Sequence, residues 1–253
     1  MTRHPDLSGR NVFITGAARG LGRSMAETLT ACGATVAIAD LHMADCEAVA
    51  EHIRSTGGKA HAFAVDVAVR RLFMAGAAMF AAQCGRIDAV INNAMLLRYE
   101  PLEQISEDVL SQMTAIGIGG SMWGAQALLA HYDAARGGVL INMASPVAEK
   151  GFPNTAAYSA VKGAIVTLTK VLAAELGPRN IRVNALSPGS VPTPGALGLN
   201  DKAEYERRTR TIPLRRLGRE EDNAEACAFL LSDAASFING EILHVDGGIA
   251  AAG

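Results

Sequence analysis

Aromatic residues make up only 5% of the 253-residue chain, and there is a single tryptophan. Neither sign of charge dominates: 23 lysines and arginines stand against 25 aspartates and glutamates, a formal net charge of −2. No electrostatic pull toward nucleic acid or an anionic membrane surface is expected from that balance. Cysteine is scarce too. Cys32, Cys46, Cys84 and Cys227 lie far apart, without a CxxC pair or His/Cys metal spacing, and the six histidines are scattered. Neither a disulfide framework nor a metal site is expected, and a reducing cytoplasm fits this usage. No apolar run reaches the ~18 residues needed to cross a bilayer. The opening Met-Thr-Arg-His-Pro-Asp-Leu lacks the apolar core of a signal peptide.

What the chain has instead is a large apolar fraction, 49%, distributed in short blocks. Strand-like runs fall at 11–16, 34–40, 60–65, 87–91, 139–145 and 181–186, with a closing strand and turn near 245–248. Helical patterns fall between them, at 23–31, 43–56, 69–84, 106–131, 155–176 and 201–210. Elements alternating in this way give an α/β fold, a single doubly wound parallel sheet with helices on both faces. One domain accounts for the length, and no repeat, low-complexity tract or linker divides it. Residues 192–213, with three prolines, two glycines and a charged helical piece, read as a lid over a cleft.

The first strand runs into Gly16-Ala-Ala-Arg-Gly20-Leu-Gly22 and then a helix. Gly16 permits a tight turn, Gly20 lets backbone approach a pyrophosphate, and Gly22 lets helix pack on strand. Free N–H groups at the helix start would meet the phosphates. The spacing is Gly-x3-Gly-x-Gly rather than Gly-x-Gly-x-x-Gly. Asp40 ends the second strand, about 20 residues on, where a dinucleotide fold places the acceptor for the adenosine ribose hydroxyls. A carboxylate there repels a 2′-phosphate, so NAD is expected in preference to NADP. Leu41 supplies no cation to reverse this, while Arg19 in the turn is a counter-signal.

Tyr158 and Lys162 stand four residues apart, and Ser145 precedes the tyrosine by thirteen. On a helix, positions i and i+4 share a face, so phenol and ammonium reach one spot. An ammonium beside a phenol favours phenolate, from an ordinary pKa of about 10. The expected product is an acid/base group usable near neutral pH, with a serine to orient an oxygen-bearing substrate.

Together these features resemble the short-chain dehydrogenase/reductase family over nearly the whole chain. Thr15-Gly-Ala-Ala-Arg-Gly-Leu-Gly22, with Arg19 and Leu21 inside it, resembles the family's cofactor turn. Asp66-Val67 resembles the pair that contacts adenine, and Asn92-Asn93-Ala94 the Asn-Asn-Ala-Gly segment. Ser145, Tyr158 and Lys162 match the catalytic serine, tyrosine and lysine. Pro188-Gly189, with Val191 and Thr193, is similar to the segment holding the nicotinamide carboxamide, and Val245-Asp-Gly-Gly248 to the C-terminal strand and turn. The resemblance implies NAD-dependent interconversion of a secondary alcohol and a ketone, with Lys162 also holding the nicotinamide ribose. It implies a homotetramer built on the helices 106–131 and 155–176. Met95 and Phe152, with Pro146, Pro153, Leu96 and residues 191–199, are expected to line a rather apolar substrate pocket. Arg207-Arg208, Arg210 and Arg215-Arg216 read as a solvated helix face balanced by Glu204, Glu206, Glu220 and Glu221. A small anionic substrate group on one arginine is the alternative. The rival functions are an NADPH-dependent carbonyl or 3-oxoacyl reductase and a weakly catalytic dinucleotide-binding scaffold or sensor.

Two positions depart from the family pattern. Met95 stands where glycine follows Asn-Asn-Ala, and Gly117 where the family has a fourth catalytic residue, an asparagine. Gly117 lies in Ile116-Gly-Ile-Gly-Gly120, three glycines within a helical pattern. Either backbone freedom keeps the family's helix bend, with a water in the side-chain void, or the proton relay is impaired.

Overall fold

Strands that are apolar on both sides can be satisfied only by a sheet covered with helices on both faces. The computed structural model describes residues 5–195 and 202–252 and shows that arrangement. Seven parallel strands lie in the order β3-β2-β1-β4-β5-β6-β7. They are β1 (Asn11–Thr15), β2 (Thr35–Asp40), β3 (Lys59–Ala64), β4 (Ala89–Asn92), β5 (Gly138–Met143), β6 (Ile181–Pro188) and β7 (Ile242–Val245). Helices α1 (Gly20–Ala31), α2 (Met43–Ser55), α3 (Arg70–Cys84), α4 (Glu107–Thr114), α5 (Gly120–His131) and α6 (Ala156–Leu176) supply the crossovers. Helices α7 (Lys202–Thr211) and α8 (Glu220–Leu231) precede β7.

The period-two alternation of β1 divides the core. Val12 and Ile14 join Met25, Leu29, Val36 and Cys227 under α1, α2 and α8. Phe13 points the other way and meets Phe73, Phe80 and Phe63 at ring-centroid distances of 5.7, 6.0 and 6.3 Å. Four of the seven phenylalanines thus share one cluster, which is how an aromatic-poor chain fills that face.

Strand order reverses between β1 and β4, and such a switch point opens a crevice at the carboxyl ends of the strands. Two sequence expectations are corrected. The helix expected over 106–131 is two helices, α4 and α5, joined by a π-helical turn, Ala115–Gly119. The three glycines fall in and just after that turn, as π-bulges and glycines relax the helical ladder together. Helix α8, absent from the sequence reading, packs on α1 with Ala224, Cys227, Ala228, Leu230 and Leu231 all buried.

Candidate active site

The glycine turn is held from behind by a polar clasp. Asn93 donates from Nδ2 to the Thr15 and Gly16 carbonyls at 3.0 and 2.9 Å. The backbone N–H groups of Asn93 and Ala94 donate to Thr15 Oγ1 at 3.0 and 3.1 Å. Thr15 and Asn93 therefore tie the ends of β1 and β4, a role the sequence reading did not assign. Gly16 has φ +62° and its Cα faces Ala94, where a side-chain carbon would lie 2.8 Å from Ala94 Cα. At Gly22 such a carbon would lie 2.2 Å from the Gly16 carbonyl oxygen, so helix and turn are in contact there. Helix α1 begins without a side-chain cap and without an acidic residue in its first turn. Its leading N–H groups suit phosphate oxygens. A dinucleotide pyrophosphate fits these donors and this close-packed turn.

Asp40 lies beside the same turn. Ala18 N donates to its Oδ2 at 3.1 Å and Leu41 N to its Oδ1 at 2.8 Å, so backbone orients the carboxylate. Arg19 is exposed and Leu21 half-buried. Asp66 Oδ1 accepts from Ala68 N at 2.9 Å, and Val67 is buried against Gly120. Across the crevice, Pro188 ends β6, Gly189 N donates to the Val245 carbonyl at 3.1 Å, and Val191 is buried. Thr193 approaches the glycine turn, its Cβ 3.4 Å from where a Gly20 Cβ would stand. The segment expected at the nicotinamide is thereby brought to the pyrophosphate turn.

Asn92, expected at the cofactor, also has a structural role. Its side chain is buried and donates from Nδ2 to Asn142 Oδ1 at 2.9 Å and to the Ser121 carbonyl at 3.2 Å. Asn142 Nδ2 donates to Thr169 Oγ1 at 2.9 Å. This chain of amides braces β4, β5 and α6 beneath the crevice.

Ser145, Tyr158 and Lys162 converge. Ser145 follows β5 in extended backbone, and its hydroxyl favours ionisation of the Tyr158 phenol. Lys162 is 4% exposed, its Nζ 5.5 Å from the Tyr158 ring centroid and donating to the Met143 carbonyl at 2.5 Å. Burial lowers the Lys162 pKa to about 8. Burial raises the Tyr158 pKa, Tyr99 adds to the rise, and the Ser145 hydrogen bond opposes it. The expectation of a phenol made acidic by Lys162 is thus corrected for the chain by itself. Desolvation is the largest influence on the phenol, and the same burial disfavours the ammonium.

Met95 and Leu96 pack with Val109, Met113, Val161 and Tyr158 in a small apolar cluster. Gly117 is buried in that cluster. A side-chain carbon there would lie 2.4 Å from Val161 Cγ1 and 3.1 Å from Met95 Sδ. The space expected to hold a water is filled by these two side chains. The Gly117 carbonyl accepts from Ser121 Oγ at 2.7 Å. Phe152 is 42% exposed in a surface hollow with Leu102, Val147 and Asn154, which neither Ser145 nor Tyr158 lines. A cavity of about 1050 Å³ opens beside Gly189 and Ser190, between Leu214, Arg216, Asp222 and His244, again without Ser145 or Tyr158. Residues 196–199, also expected at the pocket, lie outside the described residues. Tyr99, by contrast, meets the Tyr158 ring edge-on at 5.6 Å, and nothing in its sequence context marks it.

Residues 16–250 match the family model described as Enoyl-(Acyl carrier protein) reductase. The chain is 37% identical over 242 residues to D-threitol dehydrogenase of Mycolicibacterium smegmatis, covering 96% of this chain and 93% of that one. It superposes with a TM-score of 0.93 on 7α-hydroxysteroid dehydrogenase complexed with NADH and 7-oxo glycochenodeoxycholic acid, at 30% identity over 96% of this chain and 95% of that one. A gluconate 5-dehydrogenase from Burkholderia cenocepacia in complex with NADP and tartrate also gives a TM-score of 0.93, at 33% identity over 98% of both chains.

Proposed function

The chain belongs to the short-chain dehydrogenase/reductase family, and from that premise we propose that it is an NAD-dependent oxidoreductase interconverting a secondary alcohol and a ketone. The observation that carries the reading is the meeting of Ser145, Tyr158 and Lys162 at the carboxyl end of β5, opposite the glycine turn. Ser145 orients the substrate oxygen by hydrogen bonding. Tyr158 takes the hydroxyl proton in oxidation and returns it in reduction. Lys162, anchored on the Met143 carbonyl, carries the cationic charge that balances phenolate and would hold the nicotinamide ribose. NAD, when bound along Gly16, Gly20, Gly22 and Asp40, supplies the hydride acceptor. Asp66, Val67, Asn92, Ala94, Pro188, Gly189, Val191 and Thr193 complete its binding surface. A panel of secondary alcohols and ketones followed by NADH absorbance tests the reading. Tight NADH binding without turnover of any member would favour the scaffold or sensor alternative.

Asp40 supports NAD over NADP, because a carboxylate disfavours a second anion at the ribose. The exposed Arg19 keeps an NADPH-dependent reductase as the second reading. Fluorescence titration should show NADH binding at least about tenfold more tightly than NADPH, a gap that Asp40→Asn narrows. Equal or tighter NADPH binding would reverse the preference.

We also assign the chain one domain, with a lid at 192–213, of which residues 196–201 lie outside the described residues. Exposed Leu110, Met122 and Val171, on α4, α5 and α6, support the homotetramer. Light scattering after size exclusion should give the mass of four chains; a monomer mass would dismiss it. The four free cysteines, three of them buried, are consistent with the cytoplasmic expectation. Among the described residues no helix is long and apolar enough to cross a membrane.

A further inference from the structure

The proton-transfer reading uses Ser145, Tyr158 and Lys162 and leaves a second group of side chains around the phenol unassigned. Tyr99 stands edge-on to the Tyr158 ring at 5.6 Å. Two side chains of α7 act on Tyr99: Arg208 lowers its pKa and Tyr205 raises it, against a larger rise from burial. Arg208 Nη1 also reaches Ser190 Oγ at 3.4 Å, which puts the guanidinium beside the residue that follows Pro188-Gly189. Helix α7 therefore brings a cation to the far wall of the crevice, at Ser190. The Tyr205 hydroxyl is fully buried with no hydrogen-bond partner, a condition native proteins seldom leave unfilled.

Arg208 shares its carboxylate partner with a second guanidinium. Its Nε donates to Glu204 Oε1 at 2.7 Å, but Arg207 donates to both oxygens of the same carboxylate, also at 2.7 Å. These hydrogen bonds hold the Glu204 pKa down at about 2, so the carboxylate stays ionised and is shared by two guanidiniums.

We infer that Arg208, with the Tyr205 and Tyr99 hydroxyls, forms a recognition site for a carboxylate on the substrate, so that this enzyme acts on hydroxy and oxo acids. The inference rests on the proposed acid/base role of Tyr158. A guanidinium and phenolic O–H groups are all donors, and a carboxylate offers the acceptors that match them. A neutral alkyl end would bury these groups unpaired, which a site built for hydrogen bonding discriminates against strongly. The apolar wall of Met95 and Leu96 then contacts the carbon skeleton, and the anionic substrate group that the sequence offered as an alternative is placed on Arg208.

The test compares kcat/KM for hydroxy acids of four to eight carbons with that for their methyl esters, at saturating NAD. The parent should prefer at least one acid over its ester by about tenfold or more. Arg208→Gln should lower that acid-to-ester ratio about tenfold, chiefly through KM for the acid. Arg208→Lys keeps the charge without the planar fork and should restore part of it, while Tyr205→Phe lowers the ratio less. Equal use of acid and ester by the parent, or a ratio unmoved by Arg208→Gln, overturns the carboxylate site. Either outcome leaves the role of Tyr158 standing, because Tyr158-dependent ester turnover persists. No Tyr158-dependent turnover of any acid or ester removes both.

Discussion

Tyr158→Phe is expected to bind NADH as the parent does and to turn over alcohol about 10²- to 10⁴-fold more slowly, the span that positioned proton transfer contributes. The substitution removes one oxygen from a ring held by Met95, Leu96 and Tyr99, so shape is conserved and chemistry is not. The pH dependence follows from the two buried groups. Burial raises the Tyr158 pKa above its ordinary value, so at neutral pH the phenol keeps its proton, ready as an acid for carbonyl reduction. Oxidation needs the phenolate, whose population grows about tenfold per pH unit below the pKa. Oxidative kcat/KM should therefore climb from pH 6 with no plateau at neutrality. Lys162 loses its proton above about 8, and the climb should become shallower there as the balancing charge disappears. A plateau already reached at pH 7 would mean that bound ligands overrule burial. Undiminished turnover by Tyr158→Phe would remove this residue from the reaction.

Gly117→Asn, which restores the family's usual residue, should damage the protein. Its first side-chain carbon would enter space held by Val161 Cγ1 and Met95 Sδ, an overpacking that costs about 1–3 kcal/mol. For a chain of this size, that is a fall in Tm of roughly 2–4 °C per kcal/mol. The same crowding pushes on Met95 and on Val161, which lies on α6 between Tyr158 and Lys162, so kcat should fall too. Adding Val161→Ala and Met95→Gly makes room, and the combined variant should recover stability relative to the sum of its parts. A coupling of about 0.5–3 kcal/mol is expected for residues in contact. A Gly117→Asn protein that melts no lower than the parent and gains rate would show that the notch is open and that the relay is impaired without asparagine. The departures at 95 and 117 are thus a matched pair: the thioether lies where the missing side chain would begin.

The frame was legible where one local pattern suffices. Strands β1, β2, β4 and β6 fall within a residue or two of their apolar runs, and the glycine turn and Asp40 sit at the strand ends their spacing implies. Helix α8 escaped because the exposed Phe229 sits opposite the buried Ala224, Cys227, Ala228 and Leu231, so no single apolar stripe stands out in the sequence. Its opening Glu220-Glu221-Asp222 also reads as solvated charge. The π-helical turn escaped because helical periodicity runs through it and glycine is silent in such a pattern. At the site, the Tyr-Lys spacing located the chemistry but carried no information on burial, which decides the direction of both pKa shifts. Tyr99, Tyr205 and Arg208 come from two distant segments, and only the folded chain brings them together.

Lys162 and Thr169 are seven residues apart on α6, two helical turns, and they bond to the neighbouring β5 residues Met143 and Asn142. A rod riveted at two points can neither roll nor slide, so Tyr158 inherits its position from the sheet and owes little to the loops above it. The surfaces proposed to meet the substrate, around residues 95–99 and 202–211, are then free to diverge without misaligning the group that moves the proton. Evolution or an engineer can therefore retarget such an enzyme by rebuilding its rim, one loop at a time, over an anvil that stays still.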